Sequence, residues 1–336
     1  MPHTQSNPST APKGLRFYPD TRPGITRRRR GRGFSYTAPD GTTIECKIER
    51  KRLDALAVPP AYEDVWIAPI KNAHLLATGR DAEQRKQYKY HPDWSAHRAE
   101  TKYASLADIS DGLPALRRWI SRNLKRNAMD LDCAVAVGLA LIDRVALRPG
   151  RAAYAQQNKT FGATTLRPHH VQTDGDIVKL AFRGKGGHKI NETLQGRRLA
   201  KALERCQDLP GAELITWLDK GGETRSLQPE HLSARLDQYF PKGTTPKTLR
   251  TWHGSLAAFK TAIFAQDLRI KDMSEAAAAR LHNTPAIARK SYIHPDILDL
   301  VDAPLAARRA LVKPEINGVP RGMRKGEACL AEFLQT

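Results

Sequence analysis

The chain has 336 residues, and its 55 Lys and Arg against 35 Asp and Glu give a formal net charge of +20. With 40% hydrophobic residues, a mean hydropathy of −0.54 and no run of about 18 apolar residues, the sequence predicts globular domains and excludes a membrane-spanning helix. Such an excess of positive charge favours a polyanionic partner, of which nucleic acid is the commonest.

The four cysteines, Cys46, Cys133, Cys206 and Cys329, are scattered along the chain without a CxxC pair. This spacing argues against a zinc site and against a disulfide framework, and it fits a reducing cytoplasm. No HExxH motif occurs either, so we expect no metal. Residues 1–14 contain Pro, Ser, Thr and Asn without an apolar signal core, and we interpret them as a flexible tail.

Residues 15–104 are predicted to form a small, mainly β domain. Two strand-like runs, 34–37 and 42–46, flank the turn residues Pro39-Asp40-Gly41 and indicate a hairpin. Residues 65–69 and 74–79 indicate two more strands. The basic run at 27–30, followed by Arg32, lies before the first predicted strand, and we expect it to contact phosphates without reading sequence.

The segment Gln87-Tyr88-Lys89-Tyr90 alternates so that both tyrosines lie on one face of a predicted strand. Exposed tyrosines beside Arg85 and Lys86 would suit a DNA groove, with the cations on phosphates. The alternative is a hairpin whose aromatic rings belong to the core.

Residues 105–112 are short and polar, and we interpret them as a linker to a catalytic domain at 113–336. Leu113, Leu116, Ile120 and Leu124 recur at helical spacing, and residues 134–147 form a largely apolar helix. A three-stranded unit follows at about 167–172, 177–182 and 188–194, and further helices are predicted at about 229–240, 248–267 and 272–281. The fold class is therefore α+β: a small β-rich domain and a larger, mainly helical one.

Several segments of the larger domain combine cations with helix ends or turns. Arg148 precedes Pro149-Gly150 at the end of the apolar helix, and Lys185 is bracketed by Gly184, Gly186 and Gly187 in a turn. Arg250 opens a long apolar helix, and Tyr292 ends a short helical turn that begins after Asn283-Thr284-Pro285. The glycine-rich turn lacks the GxxxxGK[ST] spacing of an ATP-binding loop.

In this order, Arg148, Lys185, Arg250, Asn283 and Tyr292 resemble the catalytic set of type IB DNA topoisomerases, specifically the poxvirus-like and bacterial branch. The resemblance covers about residues 16–310. It implies the tyrosine recombinase/topoisomerase IB catalytic fold and ATP-independent relaxation of supercoiled duplex DNA through a transient 3′-phosphotyrosyl bond, without a cofactor. It also implies a monomer that closes on DNA as a clamp, in the cytoplasm and associated with the nucleoid.

By the same resemblance, Tyr292 would attack the phosphodiester, Arg148 and Arg250 would grip the phosphate, Lys185 would protonate the leaving 5′-oxygen and Asn283 would donate to a phosphoryl oxygen. The further residues expected to contact DNA are Arg80, Arg85, Lys86, Gln87, Tyr88, Tyr90, Arg151, Tyr154 and Lys247.

Asn283 stands where many members have histidine, although asparagine occurs in the bacterial branch. This sequence departs from the family pattern at His282, which stands where glycine is common. Ala153 occupies a position that is basic in the poxvirus form, so base contacts there should differ.

Two other functions remain open at the level of sequence. A tyrosine site-specific recombinase would share the fold and nucleophile, but recombinases typically carry histidine three residues before the second arginine, and here that residue is Lys247. A non-catalytic architectural DNA-binding protein would explain the charge but not the ordered set.

Overall fold

The structure is a computed structural model that describes residues 12–312 and 321–335. Nearly all of the predicted N-terminal tail therefore lies outside the described residues. The chain divides into two compact units between Lys102 and Tyr103, and the division falls inside one helix, Pro92–Ala104. The first unit is built on a sheet and the second is mainly helical, which confirms the α+β class.

A five-stranded antiparallel sheet organises the first unit. In chain order its strands and one helix are β1 (Ile25–Arg30), β2 (Gly33–Thr37), α1 (Lys47–Ala55), β3 (Glu63–Ile67), β4 (Leu75–Arg80) and β5 (Lys86–Tyr90). The strand order is β2-β1-β3-β4-β5, so β5 is an edge strand. One face of the sheet packs on α1 around a core formed by Ile25, Tyr36, Leu53, Val65, Ile67 and Ala77.

The predicted hairpin forms only in part. Its turn lies at residues 38–41, where Ala38 N donates to Thr42 O at 2.8 Å, and beyond it Thr43 bridges Thr37 and Ile44 N donates to Tyr36 O at 2.9 Å, but residues 42–46 do not form a full strand. On its other side β2 pairs along its length with the arginine-rich β1, which had been expected to precede the first strand. Arg27 stabilises this strand because its guanidinium lies 4.1 Å from the Phe34 ring centroid and donates to the carbonyl of Val58.

Twelve helices and two small sheets follow among the described residues. The helices are α2 (Pro92–Ala104), α3 (Ile109–Asn123), α4 (Leu131–Val145), α5 (Ala152–Asn158), α6 (Arg197–Gln207), α7 (Pro229–Leu236), α8 (Pro246–Phe264), α9 (Ile270–Leu281), α10 (Pro285–Tyr292), α11 (Pro295–Asp299), α12 (Leu305–Ala310) and α13 (Glu327–Gln335). The sheets are β6 (Val171–Asp174), β7 (Ile177–Arg183) and β8 (Lys189–Gln195), and a hairpin of β9 (Thr216–Leu218) and β10 (Thr224–Ser226).

Helix α4 lies at the centre of the second unit. It is buried along most of its length, and α3, α6, α7 and α8 all pack against it. A helix whose residues are apolar on nearly every side is typically buried, because it has no polar face to expose to water. It ends at Ala146 in the left-handed conformation (φ 51°), so the chain turns sharply toward Arg148.

The predicted linker has a different structure from the one expected. Residues 105–108 form a turn and residues 109–112 are the first turn of α3, with Leu106 and Ile109 fully buried in the core of the second unit. Asp108 and Asp111 are exposed, whereas Ser110 is buried and donates to Ala107 O at 2.9 Å, so the polar composition that suggests a linker belongs partly to a buried helix start. Where the domains divide in function stays a prediction.

The three-stranded unit is confirmed, although β6 begins later than predicted because Pro168–His170 form a 3₁₀ turn. Across the described ranges, none of the helices is long and apolar enough to cross a membrane.

Candidate active site

Four of the five residues of the predicted set meet where helices of the second unit end or begin. Arg148 follows the end of α4, Arg250 lies in the second turn of α8, Asn283 follows α9, and Tyr292 is the last residue of α10. Thr284 caps α10 by accepting from Ile287 N at 3.4 Å, with Pro285 in the first helical position. The cap orients the short helix that carries the tyrosine.

Arg250 contacts the phenol directly. Its Nη1 donates to Tyr292 Oη at 3.2 Å, and its Cζ lies 4.9 Å from the ring centroid. The remaining donors are fixed by backbone, since Nε donates to Ala146 O and Nη2 to Leu281 O, both at 2.8 Å. Burial lowers the pKa of Arg250 to about 10, so the group stays charged at neutral pH.

Arg148 and Asn283 form the other half of the cluster. Arg148 Nη2 donates to Asn283 Oδ1, and this contact turns the amide nitrogen away from the arginine. Asn283 Nδ2 is buried and has no hydrogen-bond partner among the described residues. A buried donor without an acceptor costs about 1–3 kcal/mol. Asn283 Nδ2 can therefore donate a hydrogen bond to an acceptor from outside the chain.

The electrostatics of the cluster favour an anion as that acceptor. Burial lowers the pKa of Arg148 as well, and within the part of the chain that the structure describes neither Arg148 nor Arg250 has a carboxylate partner. Two uncompensated guanidinium groups and one orphan amide donor suit the oxygens of a phosphate, which can accept from several donors at once.

Lys185 lies in an exposed 3₁₀ turn, Lys185–Gly187, between β7 and β8. Gly186 and Gly187 have φ of 77° and 75°, which a residue with a side chain rarely adopts. Among the described residues, no hydrogen bond or ion pair joins its ammonium group to Arg148, Arg250 or Asn283. The structure thus brings four of the set together and leaves the lysine at the tip of a hairpin.

The backbone conformation of His282 accounts for the glycine that is common at this position in the family. It has φ 53° at the end of α9, a left-handed conformation for which glycine is the usual residue. Its Nε2 lies 3.2 Å from Val145 O, while its backbone carbonyl faces Arg148 Nη1 at 3.5 Å. Burial lowers the pKa of His282, which favours the neutral ring.

Gly254 and Ser255 on α8 were not among the predicted site residues. A Cβ at Gly254 would lie 2.6 Å from Tyr292 O, so only glycine lets α8 and α10 approach this closely. Ser255 Oγ donates to the same carbonyl at 3.3 Å and accepts from His294 N at 3.0 Å. The only sequence signal was the glycine four residues after Arg250, inside an otherwise apolar helix.

The candidate DNA contacts of the first unit lie on and around β5. Tyr88 and Tyr90 stack at 6.2 Å with an interplanar angle of 10°; both are half-buried and lie outside the core cluster of that unit. The side chains are therefore on one face as predicted, and the core alternative does not hold for them. Gln87 Nε2 donates to Asp81 Oδ2 at 2.8 Å.

The cations around β5 already have acidic partners. Lys86 Nζ lies 2.5 Å from Asp20 Oδ2, Arg85 donates to Asp81, and Arg80 Nε lies 3.2 Å from Asp64 Oδ2. The Arg80–Asp64 pair is exposed on both sides and is worth about 0–1 kcal/mol. The side chains of Asp20 and Asp81 are only 15% and 13% exposed, so a phosphate has to compete with them for Lys86 and Arg85.

Three further candidates lie on the second unit. Arg151 precedes α5, Tyr154 on α5 is 48% exposed, and Lys247 is exposed in the first turn of α8. Their side chains are accessible to a ligand. In residues 12–312 and 321–335, no group of three or more His, Cys, Asp or Glu could hold a metal ion.

Two protein-family models match this chain. The family described as "Eukaryotic DNA topoisomerase I, catalytic core" matches residues 86–288, and "Bacterial DNA topoisomerase IB, N-terminal domain" matches residues 33–81. The core match ends four residues before Tyr292.

Relatives with related names are similar over most of the chain. DNA topoisomerase 1B of Acanthamoeba polyphaga mimivirus is 25% identical over 82% of this chain and 87% of its own length. DNA topoisomerase 1B of vaccinia virus (strain Copenhagen) is 23% identical over 71% of this chain and 76% of its own length. DNA topoisomerase 1 of Daucus carota is 26% identical over 56% of this chain, but over only 23% of its own length.

Proposed function

The chain belongs to the type IB DNA topoisomerase family and is a DNA-relaxing isomerase, and on this premise we propose that Tyr292 is its nucleophile. The observation that carries the proposal is the direct contact of Arg250 Nη1 with Tyr292 Oη, together with the buried Asn283 Nδ2, which has no hydrogen-bond partner among the described residues. A phenol with a cation at its oxygen, next to vacant phosphate donors, is the arrangement that in-line attack on phosphorus requires.

Cleavage forms a bond from Tyr292 Oη to phosphorus and breaks the bond from phosphorus to the 5′-oxygen. The phenol proton passes to water, helped by the positive field of Arg250, and the 3′ end stays on the protein as a phosphotyrosyl ester. Because this ester preserves the energy of the broken phosphodiester, attack by the 5′-hydroxyl reseals the strand without ATP. Between the two steps the free strand can rotate, which relaxes supercoils.

Arg148, Arg250 and Asn283 stabilise the negative charge that the nonbridging oxygens carry in the transition state. A unit charge about 4 Å away at an effective dielectric of about 20 contributes roughly 4 kcal/mol. Half of that, expressed only in the transition state, exceeds tenfold in rate.

Lys185 is the general acid for the leaving 5′-oxygen. An alkoxide is a poor leaving group, and a positioned acid contributes about 10²–10⁴-fold. The exposed, glycine-flanked turn supports this role because it can move to a bound duplex.

We further propose that the enzyme acts as a monomer that closes on DNA as a clamp, using the β5 tyrosines of the first unit and Arg151, Tyr154 and Lys247 of the second. Candidate contacts on both units support a clamp, because DNA that is bound by two linked units stays bound when one of them dissociates. Its working place is the nucleoid, where the duplex substrate is.

Relaxation of a supercoiled plasmid without ATP and with chelator present tests the nucleophile. We expect relaxed product from the wild type and from the matched control Tyr239→Phe, and none from Tyr292→Phe. A Tyr292→Phe variant that still relaxes the plasmid would contradict the assignment. Intact supercoils with every variant would favour an architectural binder, and recombined plasmids would favour a recombinase.

A further inference from the structure

A buried ionic network joins the C-terminal segment, residues 321–335, to α8, which carries Arg250, and to α4, which is followed by Arg148. Its centre is Asp143 on α4, only 4% exposed, which accepts from Arg117 of α3 (2.9 Å to Oδ1) and from Arg324 (2.5 Å to Oδ2). Burial opposes ionisation of Asp143, but a His253 contact and the two guanidinium groups outweigh it and hold its pKa well below the usual range.

Glu327 forms the second half of the network. It is fully buried in the first turn of α13 and accepts from Arg117 Nη1 at 2.6 Å and from Arg324 N at 2.7 Å. Trp252 Nε1 of α8, also fully buried, lies 3.3 Å from Glu327 Oε1. A buried carboxylate with this many donors is an anchor, since removing any one of them leaves an uncompensated group.

The network ends next to the proposed phosphate cluster on two sides. On α8, Trp252 and His253 lie two and three residues after Arg250. His253 Nε2 lies 3.4 Å from Asp143 Oδ1. On α4, Arg324 Nη1 donates to the carbonyl of Asp143 at 2.8 Å, close to the turn that leads to Arg148.

The C-terminal end of α4 is held by arginines from three different elements. Arg324 donates to the carbonyl of residue 143, Arg280 of α9 to that of residue 144 at 2.9 Å, and Arg250 to that of residue 146 at 2.8 Å. These are the carbonyls that a helix end leaves without partners. The C-terminal segment therefore contributes one of three ties that fix the position from which Arg148 projects.

From these contacts we propose that Glu327 and Arg324 are positioning residues for Arg250 and Arg148, so that the C-terminal segment completes the active site without touching DNA. The proposal rests on the function assigned above. Loss of either residue leaves the arginines present but displaced, and a displacement of about 1 Å costs on the order of 10²-fold in rate.

The test uses the full-length chain and measures two quantities on one duplex. The first is the single-turnover rate of covalent adduct formation at saturating DNA, and the second is DNA affinity in a Tyr292→Phe background. Glu327→Gln and Arg324→Ala should slow adduct formation about 10- to 100-fold, while affinity stays near that of the parent. Lys325→Ala is the matched control, because it removes an exposed cation from the same turn and should leave both quantities unchanged.

A substrate with a methylphosphonate at the scissile position separates positioning from a general loss of structure. Replacing one charged oxygen by a methyl group reduces the demand for cations, so the deficit of both variants should shrink on it. Thermal unfolding monitored by circular dichroism reports whether each variant folds. Arg324→Ala carries the test should Glu327→Gln not fold, because Arg324 is 37% exposed.

Three results would overturn the proposal: wild-type rates in both variants, a deficit that only follows the lost folded fraction, or an equal deficit on both substrates. Unfolding of both variants at the assay temperature would equally overturn it, in favour of a purely structural tail. No adduct from the wild type would instead contradict the proposed function.

Discussion

At the scale of single residues, the candidate site divides into groups that the fold holds by hydrogen bonds and one that it leaves exposed. Each nitrogen of Arg250 makes one hydrogen bond, to Tyr292 Oη or to one of two carbonyls, whereas Lys185 is exposed on a turn. A group that must deliver a proton only when DNA is bound can be held loosely, while groups that bind charge must be placed in advance.

Lys185→Ala should slow cleavage of an ordinary duplex by about 10²-fold or more, because an acid contributes that much to departure of the 5′-oxygen. A 5′-bridging phosphorothiolate has a leaving group that needs no proton, so most of the rate should return on that substrate. Rapid-quench measurement of adduct formation on both duplexes checks this. Equal deficits on the two would refute the general-acid role.

His282 permits a prediction about stability that contacts alone do not make. Its backbone lies in the left-handed region, which is strained for every residue except glycine. His282→Gly should therefore unfold at a higher temperature than His282→Ala. The difference expected is roughly 1 kcal/mol. Thermal melts of the two variants measure it, and a less stable glycine variant would show that the backbone conformation is not the deciding factor.

At the scale of elements, the helices α3, α4, α7, α8 and α9 and the three-stranded unit could be predicted from sequence, whereas α1 and α2 lie in a segment that was predicted to be mainly β. Leu113, Leu116 and Ile120 mark α3, and alternating Val178 and Leu180 mark β7. Strand β1 could not be predicted in this way. Its four arginines hide the alternation, and what holds it in the sheet is a pairing register and a cation over Phe34, neither of which is local in sequence.

The candidate site shows the same division between local and non-local information. The order of Arg148, Lys185, Arg250, Asn283 and Tyr292 could be read from a family resemblance. The network that supports them could not, because Arg117 and Glu327 are 210 residues apart in the chain and each alone is an ordinary charged residue.

The packing of α8 on α10 leads to a prediction at the element scale. Gly254→Ala places a methyl group 2.6 Å from Tyr292 O, which is too close for a carbon and an oxygen, so α10 must shift and carry the tyrosine with it. Overpacking of this kind costs about 1–3 kcal/mol, and we expect a larger loss in cleavage rate than in stability. The neighbouring Ala257→Gly is the control, since it removes a methyl group from a half-buried position on the same helix. Wild-type cleavage by Gly254→Ala would show that the close approach does not position the tyrosine.

At the scale of the whole molecule, charge is the dominant property. Apart from the basic run at 27–30 and Arg32, eight of the 55 Lys and Arg are candidate phosphate contacts: Arg80, Arg85, Lys86, Arg148, Arg151, Lys185, Lys247 and Arg250. The three on the first unit carry acidic partners that DNA must displace.

The salt dependence of binding follows from that count. With about five to eight phosphates neutralised, log Kd should rise against log salt concentration with a slope of about 4.5 to 7. The slope can be measured by fluorescence anisotropy of a labelled duplex with the Tyr292→Phe variant, at salt concentrations from about 50 to about 200 mM. A nearly flat response would contradict multiple phosphate contacts and with them the clamp.

The most direct test of the account is to trap the broken strand on the protein. A duplex nicked so that the short 5′-hydroxyl fragment diffuses away after cleavage prevents resealing, and mass spectrometry of the digested adduct identifies the linked atom. We predict one DNA-linked peptide, joined through Tyr292 to a 3′-phosphate. A bond to another side chain, or to a 5′-phosphate, would contradict the central claim.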